Sequence, residues 1–150
     1  MDKSNALEHL RNAKKAHLKW VQRAKALVSN IPVEKDAIPM DYTECMFGQW
    51  FYSEGQEIAL MPGMDCIGQI GSKHQELHDE YLKIFKIYFG EANKSFFSKL
   101  FNLKKHVGET EQEIARQYYE NLKLISDDLL KLIEKLERRV SALPESAFEV

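Results

Sequence analysis

Leu7, Leu10, Ala13, His17, Trp20, Ala24 and Leu27 recur at steps of three and four along the chain. That spacing lines them up on one stripe and predicts an amphipathic helix over roughly residues 4–29. Pro32 ends it, and a loop runs on to Pro39. Asp41 then reads as an N-cap, with Glu44 three residues later completing a variant capping box. The short helix that it opens carries the string "CMFGQWFY". Gly55, Gly63, Gly68, Gly71 and Pro62 interrupt the next stretch, which predicts loop and short turns from residue 53 to 71.

A second stripe starts after Ser72, read as its N-cap, and runs through His74, Leu77, His78, Tyr81, Leu82, Phe85 and Phe89. The same period continues through Phe96, Leu100, Leu103 and Val107. Gly90 in its middle costs about 1 kcal/mol relative to alanine, so the helix is expected to pass through it or break briefly. "VGETEQ" signals a turn, and a last helix follows from about residue 110 to 142. Leu122, Ile125, Leu129, Leu132 and Leu136 line it, and Pro144 stops it. No stretch alternates like a strand. The pattern predicts an all-α chain, an antiparallel four-helix bundle with a short extra helix carrying Cys45.

Composition narrows the function classes. At 150 residues, 44% hydrophobic and 29% charged, the chain has the make-up of one folded domain over residues 1–150. A net charge of −2 leaves no basic footprint for nucleic acid or an anionic membrane. The N-terminal twenty residues lack a long apolar run, so they read as neither signal peptide nor membrane span. Two cysteines are too few for a disulfide framework, and a cytoplasmic location is the expectation.

The candidate chemistry lies on the apolar stripes. His17, His74 and His78 occupy positions normally given to core side chains. A lone histidine there is usually a satisfied core ring, but three in one small bundle must find partners for six ring nitrogens. Each unsatisfied buried group costs roughly 1–3 kcal/mol, and a shared ion removes that cost. His74 and His78, four apart, overlie each other on one helix face.

Two catalytic readings of "HQELH" fail on particular residues. A zinc protease needs glutamate directly after the first histidine, where Gln75 stands, and Glu76 points away from the metal face. A di-iron site needs Glu-x-x-His, and Gly71 and Gln75 stand where those glutamates belong. Cys45 is the natural fourth ligand, early in a helix whose dipole favours a thiolate; it reads equally as a small buried hydrophobe. Sulfur with three nitrogens suits zinc in four-coordination. Phe47, Trp50, Phe51 and Tyr52 read as packing that keeps such a site dry, and His9 and His106 as surface residues. Cys66 falls in the glycine-rich loop, where it is expected to alkylate before Cys45.

"AHLKW" (16–20), "CMFGQWFY" (45–52) and "HQELH" (74–78) together resemble the chemoreceptor zinc-binding domain family. That family's pattern is His-x-x-Trp, then Cys-x-[Leu/Phe]-Gly-x-Trp, then His-x-x-x-His. Position by position the resemblance implies His17, Cys45, His74 and His78 as zinc ligands, with Trp20, Gly48 and Trp50 as supporting residues. Residues 108–137 also resemble the family's last helix. The resemblance implies a four-helix bundle, often a homodimer, in the bacterial cytoplasm, and a sensory role rather than an enzymatic one. The signal would be zinc itself, or an oxidant such as hypochlorous acid acting on the zinc-bound cysteine. Chemoreceptor signalling hairpins and diguanylate cyclases are the implied partners. The stretch 90–107 reads as longer than the family's usual link, and the chain is too short to hold a signalling hairpin, so a stand-alone sensor or a piece of a longer receptor is expected. The alternative is a structural zinc bundle for dimerisation or partner binding.

Overall fold

The computed structural model describes residues 1–33, 41–90 and 107–149. Helix α1 spans Lys3–Val28, and Asp2 caps it by accepting the Asn5 N–H on its carboxylate at 2.7 Å. Asn30, two residues beyond, turns the chain out with φ 58°. Helix α2 is short, Met46–Phe51, and a 3-10 helix follows over Glu54–Leu60. Helix α3 covers Cys66–Phe89, helix α4 covers Glu109–Ala142, and a 3-10 turn, Glu145–Phe148, closes the described chain. Among the described residues there is no strand.

Two expected boundaries move. Helix α3 begins at Cys66, six residues before Ser72, because Gly68 and Gly71 serve the helix rather than a turn. At Gly71 an added Cβ would sit 3.3 Å from the Phe51 ring, so this glycine lets α2 pack close. Gly90 does not lie inside a helix. It ends α3 at φ 73°, donating its N–H to the Lys86 carbonyl at 2.8 Å, which is glycine's usual part at a helix C-terminus. The continuation through Phe96, Leu100 and Leu103, which the four-helix count needs, lies outside the described residues, as does His106.

The contacts at the helix ends give the directions. Lys3 Nζ reaches the Leu143 carbonyl at 2.7 Å, and Arg139 bonds the Asp65 carboxylate, so the starts of α1 and α3 both meet the end of α4. Helices α1 and α3 therefore run parallel to each other and antiparallel to α4. The segment between them, with α2 and its 3-10 helix, is long enough to bring the chain back to the start of α1. The terminal amine of Met1 lies 4.0 Å from Glu57 there.

The core forms where the three long stripes meet. Leu10, Ala24 and Leu27 of α1, Ile70, Leu77 and Ile84 of α3, and Leu122, Leu129, Ile133 and Leu136 of α4 are fully buried. Each large side chain removed from water contributes about 1.5–3 kcal/mol. On α4 the inward stripe is offset from the expected one. Ser126, Ile133 and Val140 join Leu122, Leu129 and Leu136 inside, while Ile125 and Leu132 are only partly covered. Helix α4 packs extensively on both partners, whereas α1 and α3 meet over a shorter stretch. That stretch is aromatic and imidazole: Trp20 lies 4.2 Å from His78 and 4.8 Å from Tyr81, and His17 lies 5.0 Å from His74.

A polar clamp fixes α1 to α4 from the outside. Glu137 accepts from Lys14 at 2.5 Å and from Arg11 at 3.0 Å, and these partners, Lys14 foremost, hold its carboxyl below the usual range. Because the folded carboxyl titrates lower than the unfolded one, its contribution is full above the unfolded value and fades as pH falls through the folded value. Glu137→Gln is expected to lower unfolding free energy by about 1 kcal/mol at pH 7. The gap to the parent protein should close in denaturant titrations carried down through the carboxylate range.

Candidate metal centre

Helices α1 and α3 bring their histidines to one place. His17 projects from the middle of α1, and His74 and His78 stand one turn apart on α3 with ring centroids 4.7 Å apart. Cys45 arrives from the start of α2, with its sulfur 3.3 Å from His74 Nε2. All four residues are buried, and one potential ligand atom from each lies within 4.8 Å of the others. Every candidate ligand read from the sequence therefore reaches the same cluster.

Cys45 is placed by a local device other than the expected one. Asp41 does not cap the helix. Its carboxylate accepts the Thr43 N–H at 2.7 Å and the Thr43 hydroxyl at 2.6 Å, forming a turn before the helix. Helix α2 starts at Met46, and Cys45 is itself the N-cap, in extended conformation (φ −67°, ψ 154°). Its sulfur accepts the Gly48 N–H at 3.2 Å and lies 3.6 Å from the Tyr42 carbonyl. Gly48 has a steric reason, since a Cβ there would sit 1.9 Å from that same Tyr42 oxygen. The Cys-x-x-Gly spacing thus presents the sulfur and lets the turn close beneath it.

Burial keeps two of the imidazole donors in the form that binds metal and works against the thiolate of the sulfur donor. Burial pushes the His17 imidazole down to about 4, helped by His78, while the Ala13 backbone pulls weakly the other way. Burial pushes His74 down to about 2, with His17 and His78 adding to it. Both rings are neutral at pH 7, as a metal ligand must be. The Cys45 thiol is raised by burial and by Asp41, against the Gly48 and Phe47 amides, which favour the thiolate. No hydrogen bond of ordinary geometry reaches His17 Nδ1 or His74 Nδ1, although both atoms are buried. Orphaned buried nitrogens and a buried sulfur, all converging, fit a four-coordinate zinc ion, the borderline-soft metal for mixed nitrogen and sulfur donors.

Aromatic rings pack around the cluster. Phe47 lies edge-on to His17 at 5.4 Å and to His74 at 5.0 Å. Tyr42, which the sequence reading passed over, meets His74 and His78 edge-on at 6.4 and 6.5 Å. Tyr52 sits 6.2 Å from His74, and burial, foremost, lifts its hydroxyl to about 12. Two other readings change. His9 is half-buried and stacks on Trp50 at 4.8 Å with rings nearly parallel, pinning α2 to α1. Cys66 is not in a loop but fully buried in the first turn of α3, so it has no advantage over Cys45 toward alkylating reagents.

Residues 17–85 match the family model of the chemoreceptor zinc-binding domain. The matched stretch begins at His17, contains Cys45, His74 and His78, and stops before the end of α3, so α4 lies outside it. No curated protein and no solved structure matches the chain.

The Gly48 contact makes a prediction about the centre's scaffold. Gly48→Ala forces Tyr42 and the Cys45 turn apart, and is expected to cost on the order of 2–4 kcal/mol in urea unfolding. A variant within a few tenths of a kcal/mol of the parent would mean that the turn is not packed as described.

Proposed function

We propose that the chain is a zinc-binding sensory module, with His17, Cys45, His74 and His78 as the ligands. The observation that carries this reading is the convergence of four buried donors from three helices within 4.8 Å, inside the stretch that matches a zinc-binding family. Bound zinc would hold the Cys45 sulfur as a thiolate and tie α1, α2 and α3 together. With all four donors engaged the site has no open position, and no carboxylate stands among the ligands to act as a base, which argues for a binding role over an enzymatic one.

Cys45 is the responsive element, because its sulfur does two jobs. It offers a lone pair to the cluster and caps α2 through the Gly48 N–H. Hypochlorous acid oxidises such a thiolate by transferring oxygen. The sulfur–oxygen bond forms, the oxygen–chlorine bond breaks, chloride departs, and sulfenic acid remains. The new oxygen needs space that the Gly48 amide and His74 now fill at 3.2 and 3.3 Å. Oxidation therefore weakens the ligand set and uncaps α2 together. Loss of zinc itself would act on the same helix.

Assembly and location follow the same reading. Ile114 and Leu124 stand exposed on α4, and a homodimer through this helix is proposed, with a chemoreceptor or diguanylate cyclase as signalling partner in the bacterial cytoplasm. Among the described residues no helix is long and apolar enough to cross a membrane. A purely structural zinc draws its support from the burial of all four donors, since a buried site exchanges slowly.

Purified protein is expected to carry one zinc per chain by elemental analysis, with most of it lost in Cys45→Ala and His78→Ala and retained in Cys66→Ala. Cys45→Ser keeps an oxygen cap for α2 and should lose zinc while retaining more helix than Cys45→Ala in circular dichroism. About one equivalent of hypochlorous acid should oxidise Cys45 and release zinc. Oxidised methionines beside intact Cys45 and bound zinc would remove the redox reading. Light scattering at micromolar concentration should give a dimer mass, and a monomer mass would refute that assembly.

A further inference from the structure

The Cys45 sulfur is buried, yet the centre is not closed on every side. A cleft of about 540 Å³ opens between α1 and α2, lined by Ala16, His17, Lys19, Trp20 and Arg23 on one wall and by residues 44–47 and 49 on the other. His17 and Cys45 are the two ligand residues that border it. Its α1 lip carries two cations. Lys19 is exposed and makes no ion pair among the described residues, and Arg23 interacts with the Tyr81 hydroxyl beside the cluster. The opposite lip carries Glu44 and an exposed Met46, 84% accessible, and Asp41 stands nearby. The cleft thus borders the residue that carries the sulfur, with an exposed, unpaired ammonium on one lip and the Glu44 carboxylate on the other.

From this geometry we infer that the cleft is the entry route to Cys45 and that Lys19 makes it selective for small monoanions over neutral molecules of the same size. The ligand class is a monoanion no larger than a haloacetate, carrying its charge to Lys19 and its reactive or metal-seeking atom toward the sulfur. This deepens the sensory reading and rests on Cys45 as the responsive donor. It assigns to Lys19 a part in deciding which solutes reach that donor.

A pair of reagents differing in charge alone tests the route. Iodoacetate and iodoacetamide alkylate a thiolate by the same displacement: sulfur forms a bond to the methylene carbon and iodide leaves. The ratio of their rates at one cysteine cancels whatever fraction of the sulfur is free and ionised. Rates would be read at Cys45 by mass spectrometry on the full chain as purified, with the blocked amino acid N-acetylcysteine amide as reference and zinc content measured on the same samples.

The iodoacetate-to-iodoacetamide ratio at Cys45 is expected to exceed the reference at low salt and to shrink as salt rises. Lys19→Glu should lower it roughly threefold, the size of effect that reversing one charge several ångströms from the path produces in screened water. Lys131→Glu makes the same charge change on an exposed position of α4 and should leave the ratio unchanged. A ratio equal to the reference and indifferent to Lys19 overturns the inference, and so does a Cys45 that neither reagent labels. Protein without zinc that still shows the Lys19-dependent ratio would keep the entry route and remove the zinc reading. Zinc-loaded protein without that ratio would do the reverse.

Discussion

Three buried imidazoles and one sulfur fill the seam between two helices that run the same way. Parallel neighbours in a small bundle need a long return connection, and α1 and α3 share less packing with each other than either shares with α4. At their seam the sequence places His17, His74 and His78 where aliphatic side chains would ordinarily stand. Burial keeps the His17 and His74 rings neutral and leaves ring nitrogens without hydrogen bonds. A core built this way is costly by itself, and the zinc proposed above would complete it, so that metal binding and the joining of α1 to α3 would be one free energy. The rest of the structure depends on that seam.

The α2 segment is arranged around the same constraint. Most helices are capped by an oxygen, and α2 is capped by the sulfur that also faces the histidines. Gly48 admits the Tyr42 carbonyl, and Trp50 is held by His9 stacked on its face. Phe47 and Phe51 anchor the helix in the core beside the cluster. A chemical change at this one sulfur would therefore act on the histidine cluster and on the cap of α2 together.

Much of this was legible before any coordinates. Long stripes such as Leu10, Ala13, His17 and Trp20 declare a helix because the period of 3.6 persists for many turns. The members of the cluster were legible because histidine is unusual on such stripes and because three short strings occur in the order of a known family. Less was legible where one residue serves two structures at once. Gly68 and Gly71 read as turn residues but belong to α3, where Gly71 makes room for Phe51. Asp41 and Glu44 have the spacing of a capping box, yet Asp41 spends its carboxylate on Thr43 and the cap falls to Cys45. Tyr42 and His9 carry no pattern along the chain, since their roles come from contacts between elements. The parallel course of α1 and α3 was hidden for the same reason, because periodicity reports faces and not directions.

The measurement that bears most directly on the account is X-ray absorption at the zinc edge of the purified protein. Three histidines and one cysteine require a first shell of three nitrogens near 2.0–2.1 Å and one sulfur near 2.3 Å. The sulfur component should persist in Cys66→Ala. A shell without sulfur, or with two sulfurs, would contradict the assignment of His17, Cys45, His74 and His78 to one ion.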